Sequence, residues 1–555
     1  MPGTRVSVPF GHQKAILGIA ISATLVEAAP GAGSLFTNVP TKQTNKSTHK
    51  LRSIHHTLEA SPVLSKELLA LCNWCADYYH YPLGDTCQLA LPAMLRKPTP
   101  MPKSQQVFWV LTTAGATTKD ASLTRAPKQQ VALAVFKQLK KINQNQLQRY
   151  DINASMIKAL HTKKLIDKQE LSEQFPPLIK SAQLLKEDIL SLNHEQKIVL
   201  DSLVFNQFNA YLLDGITGSG KTEIYLQAIH RVLKDDKQAL ILVPEIGLTP
   251  QTAARFQNRF NVPVATVHSG LSKLQRFKIW QAIKHKQYPI VIGTRSSVFS
   301  PLDDLGLIVV DEEHDLSYKQ QDGVRYSARD LAIVRAQKLG IPLVLGSATP
   351  SLETLQNALS GRYQHLTLRR RAQTRSRLNI KCISSTNAGL GEEAITAIRK
   401  TLARGRQVLV FINRRGYAAT LICQNCKWMS QCSACDNRMT LHRTQLKTPN
   451  TSQYLHCHRC DYRTGVPTRC PHCNSSQLSL LGSGTQREEE ILEKTFFDIP
   501  ILRIDKDNTS QKGRLEELFK QVNTGKPCIL VGTQMLAKGH HFANIGLGII
   551  LGLDQ

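Results

Sequence analysis

The clearest pattern of hydrophobic and polar positions is a series of short apolar runs, separated by stretches of helical periodicity, that begins near residue 186. The runs read AYLLDGI, QALILVP, VPVATVH, YPIVIGT, LGLIVVDEE and PLVLGSA. Apolar strands that alternate with helices are typical of a parallel sheet covered on both faces. The pattern therefore predicts an α/β lobe over residues 186–372.

A second series of the same kind begins at RQVLVFINRRG. It is interrupted by a cysteine-rich stretch and then resumes with LSLLGSG, PILRID and CILVGTQ. We predict a second α/β lobe over residues 373–555, with residues 421–478 as an insertion between its strands.

The first 97 residues show shorter runs and predict a small β-rich unit. TRVSVPF alternates, AILGIAISATLV is apolar throughout, and SKELLALCNWCADYYHY has helical periodicity. The apolar run is too short to span a bilayer and lacks a compact basic lead, so we expect a cytoplasmic protein without membrane contact. Cys72 and Cys75 form a C-x-x-C pair in an apolar helix, with no redox motif nearby, and are predicted to be structural.

The proline-bearing stretch RKPTPMPKSQ marks a domain boundary, and residues 98–185 follow it. A strand (VFWVLT), two helical segments and the apolar triplet LID fit a winged helix-turn-helix. Lys158, Lys163 and Lys164 would then lie toward DNA. A small helical spacer would give the same pattern.

The charge of the chain indicates a polyanionic partner. Lysine and arginine number 70 against 42 acidic residues, which gives a net charge of +28 over 555 residues and a pI of about 9.7. A surplus of this size, spread over several domains, is typical of proteins that bind nucleic acid. The alternative is a basic surface that serves only solubility.

One motif indicates a nucleotide. GITGSGKT fits the phosphate-binding consensus G-x-x-x-x-G-K-T and lies between a predicted strand and a predicted helix. Backbone amides around its glycines would cradle the phosphates of ATP, the lysine would reach the β and γ phosphates, and the threonine would ligate Mg²⁺. The predicted binding residues are Gly215, Gly218, Gly220, Lys221 and Thr222.

A pair of carboxylates follows the strand LGLIVV. Asp311, at the carboxyl end of the strand, would hold the Mg²⁺ ion, and Glu312 would orient and deprotonate the attacking water. A polar cap on a buried strand is the alternative. The later stretch GSATP (346–350) also follows an apolar strand, and its short hydroxyls would link the nucleotide site to a nucleic-acid track.

The cysteine-rich stretch predicts two structural zinc ions. Four C-x-x-C pairs are separated by 5, 21 and 9 residues. Joining neighbouring pairs leaves a tight loop of five residues, so a nested arrangement is easier, and eight thiolates would close two tetrahedral sites without an open position for catalysis. The predicted inner site is Cys432, Cys435, Cys457 and Cys460, and the outer site is Cys423, Cys426, Cys470 and Cys473.

The chain as a whole resembles the superfamily 2 helicases of the D-E-x-H type, and among them the primosomal protein N-prime (PriA) family of bacterial replication-restart helicases. The resemblance rests on ADYYHYPLGD, VPEIGLTPQ, HSGLS, IGTRSSVF, DEEHDLSYKQQDGVRYSARDLAIVRA, GSATPS, VLVFINRRGYA, GSGTQREEE and VGTQMLAKGHHF, together with the cysteine spacing. It implies two RecA-like lobes, the second with the zinc insertion, preceded by a DNA-binding domain that recognises 3′ ends and a winged helix.

The resemblance also implies roles for single residues. Gln196 matches a glutamine that contacts adenine, and the segment 318–330 matches an aromatic-rich loop that couples DNA contact to ATP turnover. On chemical grounds Tyr318 and Tyr326 would stack on bases, while Lys319, Arg325 and Arg329 would contact phosphates or neighbouring acids. Taken singly, each cation is more often a solvated charge. The remaining candidates for DNA contact are Arg295, Lys538, Gly11 and Arg52.

The implied function is that of an ATP-dependent, 3′-to-5′ DNA helicase of the primosome. Its partners would be forks, D-loops, single-stranded DNA, primosome proteins and single-stranded DNA-binding protein. The family continues upstream of this sequence, and downstream through a Q-x-x-G-R-A-G-R motif whose arginine stabilises the transferring phosphoryl group. We therefore expect an incomplete 3′-end pocket and feeble ATP turnover. The alternatives are a fork-binding module without motor activity and another superfamily 2 translocase, against which the eight cysteines argue.

Overall fold

The structure is a computed structural model that describes most of the chain. It comprises residues 1–10, 13–22, 53–102, 105–118, 126–143, 146–147, 150–172, 183–245, 250–372, 379–383, 390–412, 420–435, 437–443, 453–457, 459–481, 492–504, 514–532 and 542–551. The chain divides into two compact units, Met1–Glu245 with Arg255–Gln373, and Ile246–Ala254 with Thr374–Gln555.

The first unit begins with a small antiparallel sheet and two helices. The strands are β1 (Arg5–Phe10), β2 (Gln13–Ile19) and β3 (His56–Thr57), in the order β2-β1-β3. Helix α1 (Lys66–Tyr78) is capped by Ser65, whose side chain accepts from the Leu68 amide, and α2 (Leu83–Leu89) and a 3₁₀ turn (Ala93–Leu95) follow. A hydroxyl at this position satisfies an amide that the helix leaves free.

A second small domain in this unit has the composition of a winged helix. Its antiparallel sheet has the order β5-β4-β6 and its helices pack around a core that includes Phe136, Ile142 and Leu160. The elements are β4 (Gln105–Leu111), α3 (Thr113–Thr117), α4 (Pro127–Leu139), β5 (Lys141–Asn143), α5 (Ala154–Thr162) and β6 (Ile166–Ser172).

The rest of the first unit is built on the predicted parallel sheet. Seven strands lie in the order β13-β7-β12-β11-β8-β10-β9, and every neighbouring pair is parallel. They are β7 (Ala210–Gly215), β8 (Gln238–Leu242), β9 (Val264–Val267), β10 (Ile290–Gly293), β11 (Leu305–Asp311), β12 (Leu343–Ser347) and β13 (Gln364–Leu368). Strands β8, β10 and β12 are buried along their whole length, as strands covered on both faces must be.

Helices alternate with these strands. They are α6 (His194–Ser202), α7 (Lys221–Lys234), α8 (Pro250–Arg259), α9 (Lys273–Lys284), α10 (Ala328–Leu339) and α11 (Leu352–Leu359), with 3₁₀ turns at Arg295–Phe299 and Leu316–Tyr318. The first turn of α8 belongs to the short segment that is grouped with the second unit. This alternation is the predicted α/β lobe.

The second unit contains a four-stranded parallel sheet in the order β20-β21-β14-β22 and a cysteine-rich insertion. Its lobe elements are α12 (Glu392–Ala403), β14 (Gln407–Ile412), β20 (Ile501–Ile504), α13 (Arg514–Asn523), β21 (Ile529–Gly532) and β22 (Ile545–Leu551). The insertion holds β15 (Thr420–Cys423), β16 (Thr440–Arg443), β17 (Gln453–His456), β18 (Arg463–Gly465) and β19 (Leu478–Leu481).

One predicted strand has a different place. The run LSLLGSG was expected to rejoin the sheet of the second lobe, but β19 pairs antiparallel with β15 and forms the base of the insertion. The pairing places Leu478 opposite Cys423, so this ladder holds together the two ends of the inserted segment. A short apolar run predicts that a strand is present. It does not predict which strand will pair with it, because that is decided by residues distant in sequence.

The N-terminal helices share a hydrophobic core with the parallel-sheet lobe of the same unit. Leu68, Leu71 and Cys75 of α1 belong to one cluster with Leu331 and Ala332 of α10. Between these helices the fully buried guanidinium of Arg335 donates to both carboxylate oxygens of Glu67, at 3.0 Å each, and to the carbonyl of Val298 at 2.7 Å. A bidentate pair of this kind fixes both separation and orientation.

We expect Glu67→Ala to lower the free energy of unfolding of the first unit by about 3–5 kcal/mol, because it leaves the buried Arg335 charge without its partner. Urea unfolding followed by tryptophan fluorescence measures the change. The exposed Glu187 provides the control, and Glu187→Ala should alter stability by less than about 0.5 kcal/mol. Equal stability of the two variants would contradict the predicted role of the pair.

Candidate active site and metal centres

The phosphate-binding loop connects β7 to α7 in a conformation that requires glycine. Gly218 and Gly220 have φ values of +81° and +88°, in the left-handed region, and Gly220 is the N-cap of α7. A Cβ atom on Gly220 would lie 2.2 Å from Nε2 of Gln196. Lys221 begins the helix, and its Nζ donates to the carbonyl of Gly215 at 2.7 Å. The predicted loop residues therefore lie together at a helix N-terminus.

Gln196 holds this loop in place. The residue is only 4% exposed, its Nε2 donates to the carbonyl of Ser219 at 2.8 Å, and its Oε1 accepts from the amide of Asn193 at 3.0 Å. The side chain of Asn193 in turn accepts from the Gln196 amide, so the two residues form a capping box at the start of α6. Both ends of the glutamine amide are thus used locally, and its predicted contact with adenine stays a prediction.

Asp311 lies at the carboxyl end of β11, on the same edge of the sheet as the loop after β7. Burial, together with the neighbouring Glu312 carboxylate, raises the pKa of Asp311 to about 6, against the opposing effects of Tyr225 and Lys221. Its Oδ1 accepts from the hydroxyl of Tyr225 at 3.0 Å. Glu312 follows with φ +48°, a strained conformation for this residue type. Lys221, Asp311 and Glu312 are therefore brought to one site.

Tyr225 is a site residue that the sequence analysis missed. It lies on α7 four residues after Lys221, so both side chains occupy one face of that helix, and this spacing is the signal that could have revealed it. Gly346 of β12 leaves room for the ring, because a Cβ atom there would lie 1.7 Å from the tyrosine hydroxyl.

The next two residues of the acidic motif connect it to the stretch GSATPS. Glu313, with a fully buried side chain, accepts from the Ser351 amide at 2.7 Å, from the Thr354 hydroxyl at 2.8 Å and from Arg329 at 3.2 Å. The Nδ1 atom of His314 lies 2.8 Å from the hydroxyl oxygen of Ser347. These contacts join the end of β12 and the start of α11 to the acidic motif, and the predicted link to a nucleic-acid track stays a prediction.

We expect Ser347→Ala to lower the rate of DNA unwinding by about 5–30-fold while ATP hydrolysis without DNA changes much less. The Ser347 hydroxyl on β12 contacts His314 of the acidic motif. Losing one contact between two coupled sites changes their coupling free energy by about 1–2 kcal/mol. Unwinding and hydrolysis are measured side by side, with the exposed Ser360→Ala as control. A parallel loss of both activities would show that the contact serves the fold or the chemistry and not their coupling.

The predicted base stacking by Tyr318 and Tyr326 is wrong for this structure. Each residue is only 2% exposed. The hydroxyl of Tyr318 lies 2.6 Å from the carbonyl oxygen of Asp311 and 3.0 Å from that of Leu242, and the Tyr326 ring packs edge-on against Phe299 at 5.4 Å. An aromatic residue in a loop can serve either as a stacking surface or as an anchor for the loop, and here both rings are anchors.

The cations of this loop divide into two groups. Lys319 and Arg325 are exposed, as a contact with phosphate requires, whereas Arg329 pairs with Glu313 and Asp330. The guanidinium of Arg295 faces the carbonyls of Ser317 and Lys319 at 3.3 and 3.5 Å. Three other candidates for DNA contact, Gly11, Arg52 and Lys538, lie outside the described residues.

The eight cysteines form two nested groups, as predicted. Cys423, Cys426, Cys470 and Cys473 form one, and Cys432, Cys435, Cys457 and Cys460 the other; within each group all sulfur atoms lie within 4.8 Å of one another. Within each group, a sulfur atom of one C-x-x-C pair lies 3.4–3.6 Å from a sulfur atom of the other pair. Four thiolates around zinc at 2.3 Å would lie about 3.8 Å apart, so the groups have the size of tetrahedral zinc sites.

The backbone around the clusters is shaped to stabilise thiolates. Amide hydrogen bonds, first from Cys426 and then from Asn425, lower the pKa of Cys423 to about 6, and those from Cys460 and Arg459 do the same for Cys457. Desolvation and hydrogen bonds with the neighbouring thiols raise the pKa of Cys426 and Cys460 to about 12, so in the metal-free cluster the charge rests on the first cysteine of each of these two pairs. The residue after the second cysteine is left-handed in the three described pairs, at Lys427, Asp461 and Asn474. After this turn the amides of Trp428 and Tyr462 donate to the sulfur atoms of Cys426 and Cys460, and thiolate is the form that binds metal.

Comparisons with known proteins agree with these features. The family described as DEAD/DEAH box helicase matches residues 193–358, which contain the phosphate loop and the acidic motif. The 3′DNA-binding domain (3′BD) family matches residues 1–92, and the family described as Primosomal protein N′-like, winged helix, matches residues 107–168. The predicted fold class is therefore confirmed, including the β-rich DNA-binding domain and the winged helix.

Three relatives match the chain over most of its length. Replication restart protein PriA of Haemophilus influenzae is 41% identical over 567 residues, which cover 100% of this chain and 73% of that protein. PriA of Chlamydia pneumoniae is 37% identical over a match that covers 92% of this chain and 70% of that protein. PriA of Bacillus subtilis is 39% identical over a match that covers 73% of this chain and 51% of that protein.

The fold and the site define an ATP-dependent helicase of the DEAD/DEAH box class. Within that class, the chain belongs to the replication restart protein PriA family. The resemblance noted in the sequence is thus confirmed. Among the described helices, none has both the length and the apolar character needed to cross a membrane.

Proposed function

We propose that this PriA-family helicase uses ATP to move 3′ to 5′ along single-stranded DNA and acts at stalled or repaired replication forks and D-loops to restart replication. The observation that carries the proposal is the convergence of Lys221, Asp311 and Glu312 at one edge of the parallel sheet, beside a loop shaped for phosphates. A domain related to 3′-DNA-binding domains precedes this lobe in the chain.

Each residue of the site has a chemical role in this proposal. Lys221 binds the β and γ phosphates, and the amides of the loop cradle the remaining charge. Glu312 orients the attacking water and accepts its proton. Thr222 and Asp311 would hold Mg²⁺, which would neutralise charge on the phosphates. The donor set fits this ion, because a buried carboxylate with a raised pKa beside a second carboxylate favours a hard cation.

The cysteine clusters serve structure in this proposal. Each would hold one zinc ion through four thiolates, with no open coordination position. The insertion they stabilise is a candidate wedge at the fork and a docking surface for primosome proteins and single-stranded DNA-binding protein. Its small hydrophobic core, which includes Leu421, Met439, Leu441 and Leu455, supports the view that metal and core stabilise it together.

The test is unwinding of duplexes that carry a single-stranded tail on either the 3′ or the 5′ side, with ATP and zinc-replete protein. Although the sequence predicts slow ATP turnover, we expect the 3′-tailed duplex to be unwound at a measurable rate and the 5′-tailed duplex to remain paired. The reverse preference would overturn the proposed polarity. Tight fork binding without unwinding of either duplex would favour the alternative of a fork-binding and partner-docking module.

A further inference from the structure

The end of helix α1 carries a cluster of three aromatic residues that the ATP site and the cysteine clusters do not use. The rings of Trp74 and Tyr78 stack with centroids 4.6 Å apart and planes at 12°. Tyr79 packs edge-on against both, at 6.4 and 4.9 Å. Tyr78 is 61% exposed, whereas Trp74 and Tyr79 pack partly against the core. The cluster thus offers one open aromatic face on a supported base.

The position of this face is fixed from both ends of the helix. Near the N-terminus of α1, Glu67 is held by Arg335. At the other end, the hydroxyl of Tyr79 accepts from the amide of Ser327 at 3.0 Å, and its own amide donates to the carbonyl of Cys75. A surface that is already ordered loses little conformational freedom when a ligand binds, so affinity is gained at low entropic cost.

A lysine of the neighbouring loop adjoins the cluster. The Nζ atom of Lys319 lies 5.0 Å from the centroid of the Tyr79 ring, within the range of a cation–π contact. The loop that carries it bridges Lys319 to Ser327 and also exposes Arg325. Aromatic faces beside lysine and arginine are the composition of surfaces that bind single-stranded nucleic acid, because every base has a face that can stack.

We propose that Tyr78, supported by Trp74, is a stacking site for an unpaired base of single-stranded DNA, and that Lys319 contacts the adjoining phosphate. The inference rests on the proposed function, since it assigns a further contact to the DNA that the helicase binds. The occupant is taken to be DNA because the match to 3′-DNA-binding domains includes α1 and because the Lys319 ammonium lies over the Tyr79 ring, where it also offsets the nearby Asp330 carboxylate.

The first test measures affinity of the full chain for oligothymidylate. Tyr78→Ala should weaken binding by about 5–140-fold, the effect of losing one stacked base, whereas Tyr78→Phe should bind like the unaltered chain. Affinity for a blunt duplex should not change, because its bases present no free face. Phe497→Ala, which removes a 90% exposed ring from the second unit, is the matched control.

The second test locates the contact directly. Oligothymidylate with 5-iodouracil at single positions is cross-linked to the chain by long-wavelength light, and the adduct is mapped by mass spectrometry. We expect an adduct on Tyr78 or Trp74. Unchanged affinity of Tyr78→Ala together with adducts only elsewhere would overturn the stacking site while leaving the helicase proposal intact. Failure of the unaltered chain to bind oligothymidylate would instead overturn the proposed function itself.

Discussion

Replacing Lys221 with alanine is expected to lower DNA-stimulated ATP hydrolysis by about 10²–10³-fold or more. Lys221 is the first residue of α7 and directly follows the glycine-rich loop. The free backbone amides of the loop and of the first helical turn give this place a partial positive charge that attracts phosphate. Within the motif GITGSGKT, Lys221 has the only charged side chain. Charge develops there during phosphoryl transfer, and removing a preorganised electrostatic contact of this kind typically costs that much in kcat.

The control for Lys221→Ala lies on the same helix. Lys234 is exposed in the last turn of α7, so Lys234→Ala removes an equal charge at the end remote from the phosphate loop. Its ATP turnover should remain within about twofold of the unaltered chain. Turnover that survives in Lys221→Ala would show that the loop is not the nucleotide site. Turnover absent from the unaltered chain as well would favour a fork-binding module over a motor.

The ATP site could be predicted well from the sequence because its motifs are local. The loop needs two left-handed glycines before a lysine that starts a helix, and a strand must precede it so that the helix points at the phosphates. Carboxyl ends of parallel strands share an edge, so an acidic motif at the end of one strand was expected on the same edge as the phosphate loop after another. The nesting of the cysteines followed in the same way from loop lengths.

Contacts between distant residues could not be predicted. Glu67 and Arg335 are 268 positions apart and form their pair only because α1 packs on α10. Tyr318 and Tyr326 occur in a polar loop, and nothing in the alternation around them indicates that both rings are buried. Strand β19 was assigned to the wrong sheet for the same reason, since its partner β15 lies more than 50 residues earlier. Burial of loop residues is decided by tertiary packing.

Removing one inner cysteine is expected to cost one zinc ion and to leave the other in place. Cys457 belongs to the inner group and is fully buried, so Cys457→Ala breaks a closed four-thiolate site. The outer group is supported separately by the antiparallel ladder between β15 and β19. We therefore expect zinc content to fall from two ions to one per chain, with new protease cleavage confined to the segment between the outer cysteine pairs. Atomic absorption and limited proteolysis measure these changes.

The same variant separates a structural role of zinc from a catalytic one. Because four thiolates leave no coordination position for water, ATP hydrolysis without DNA should stay within about twofold, whereas fork unwinding should fall if the insertion acts at the fork. Cys382→Ser, at an exposed cysteine that belongs to neither group, should keep both ions and both activities. Loss of both ions from Cys457→Ala would mean that the nested sites fold as one unit. A collapse of basal ATP hydrolysis would mean that the effect of the metal extends to the ATP site.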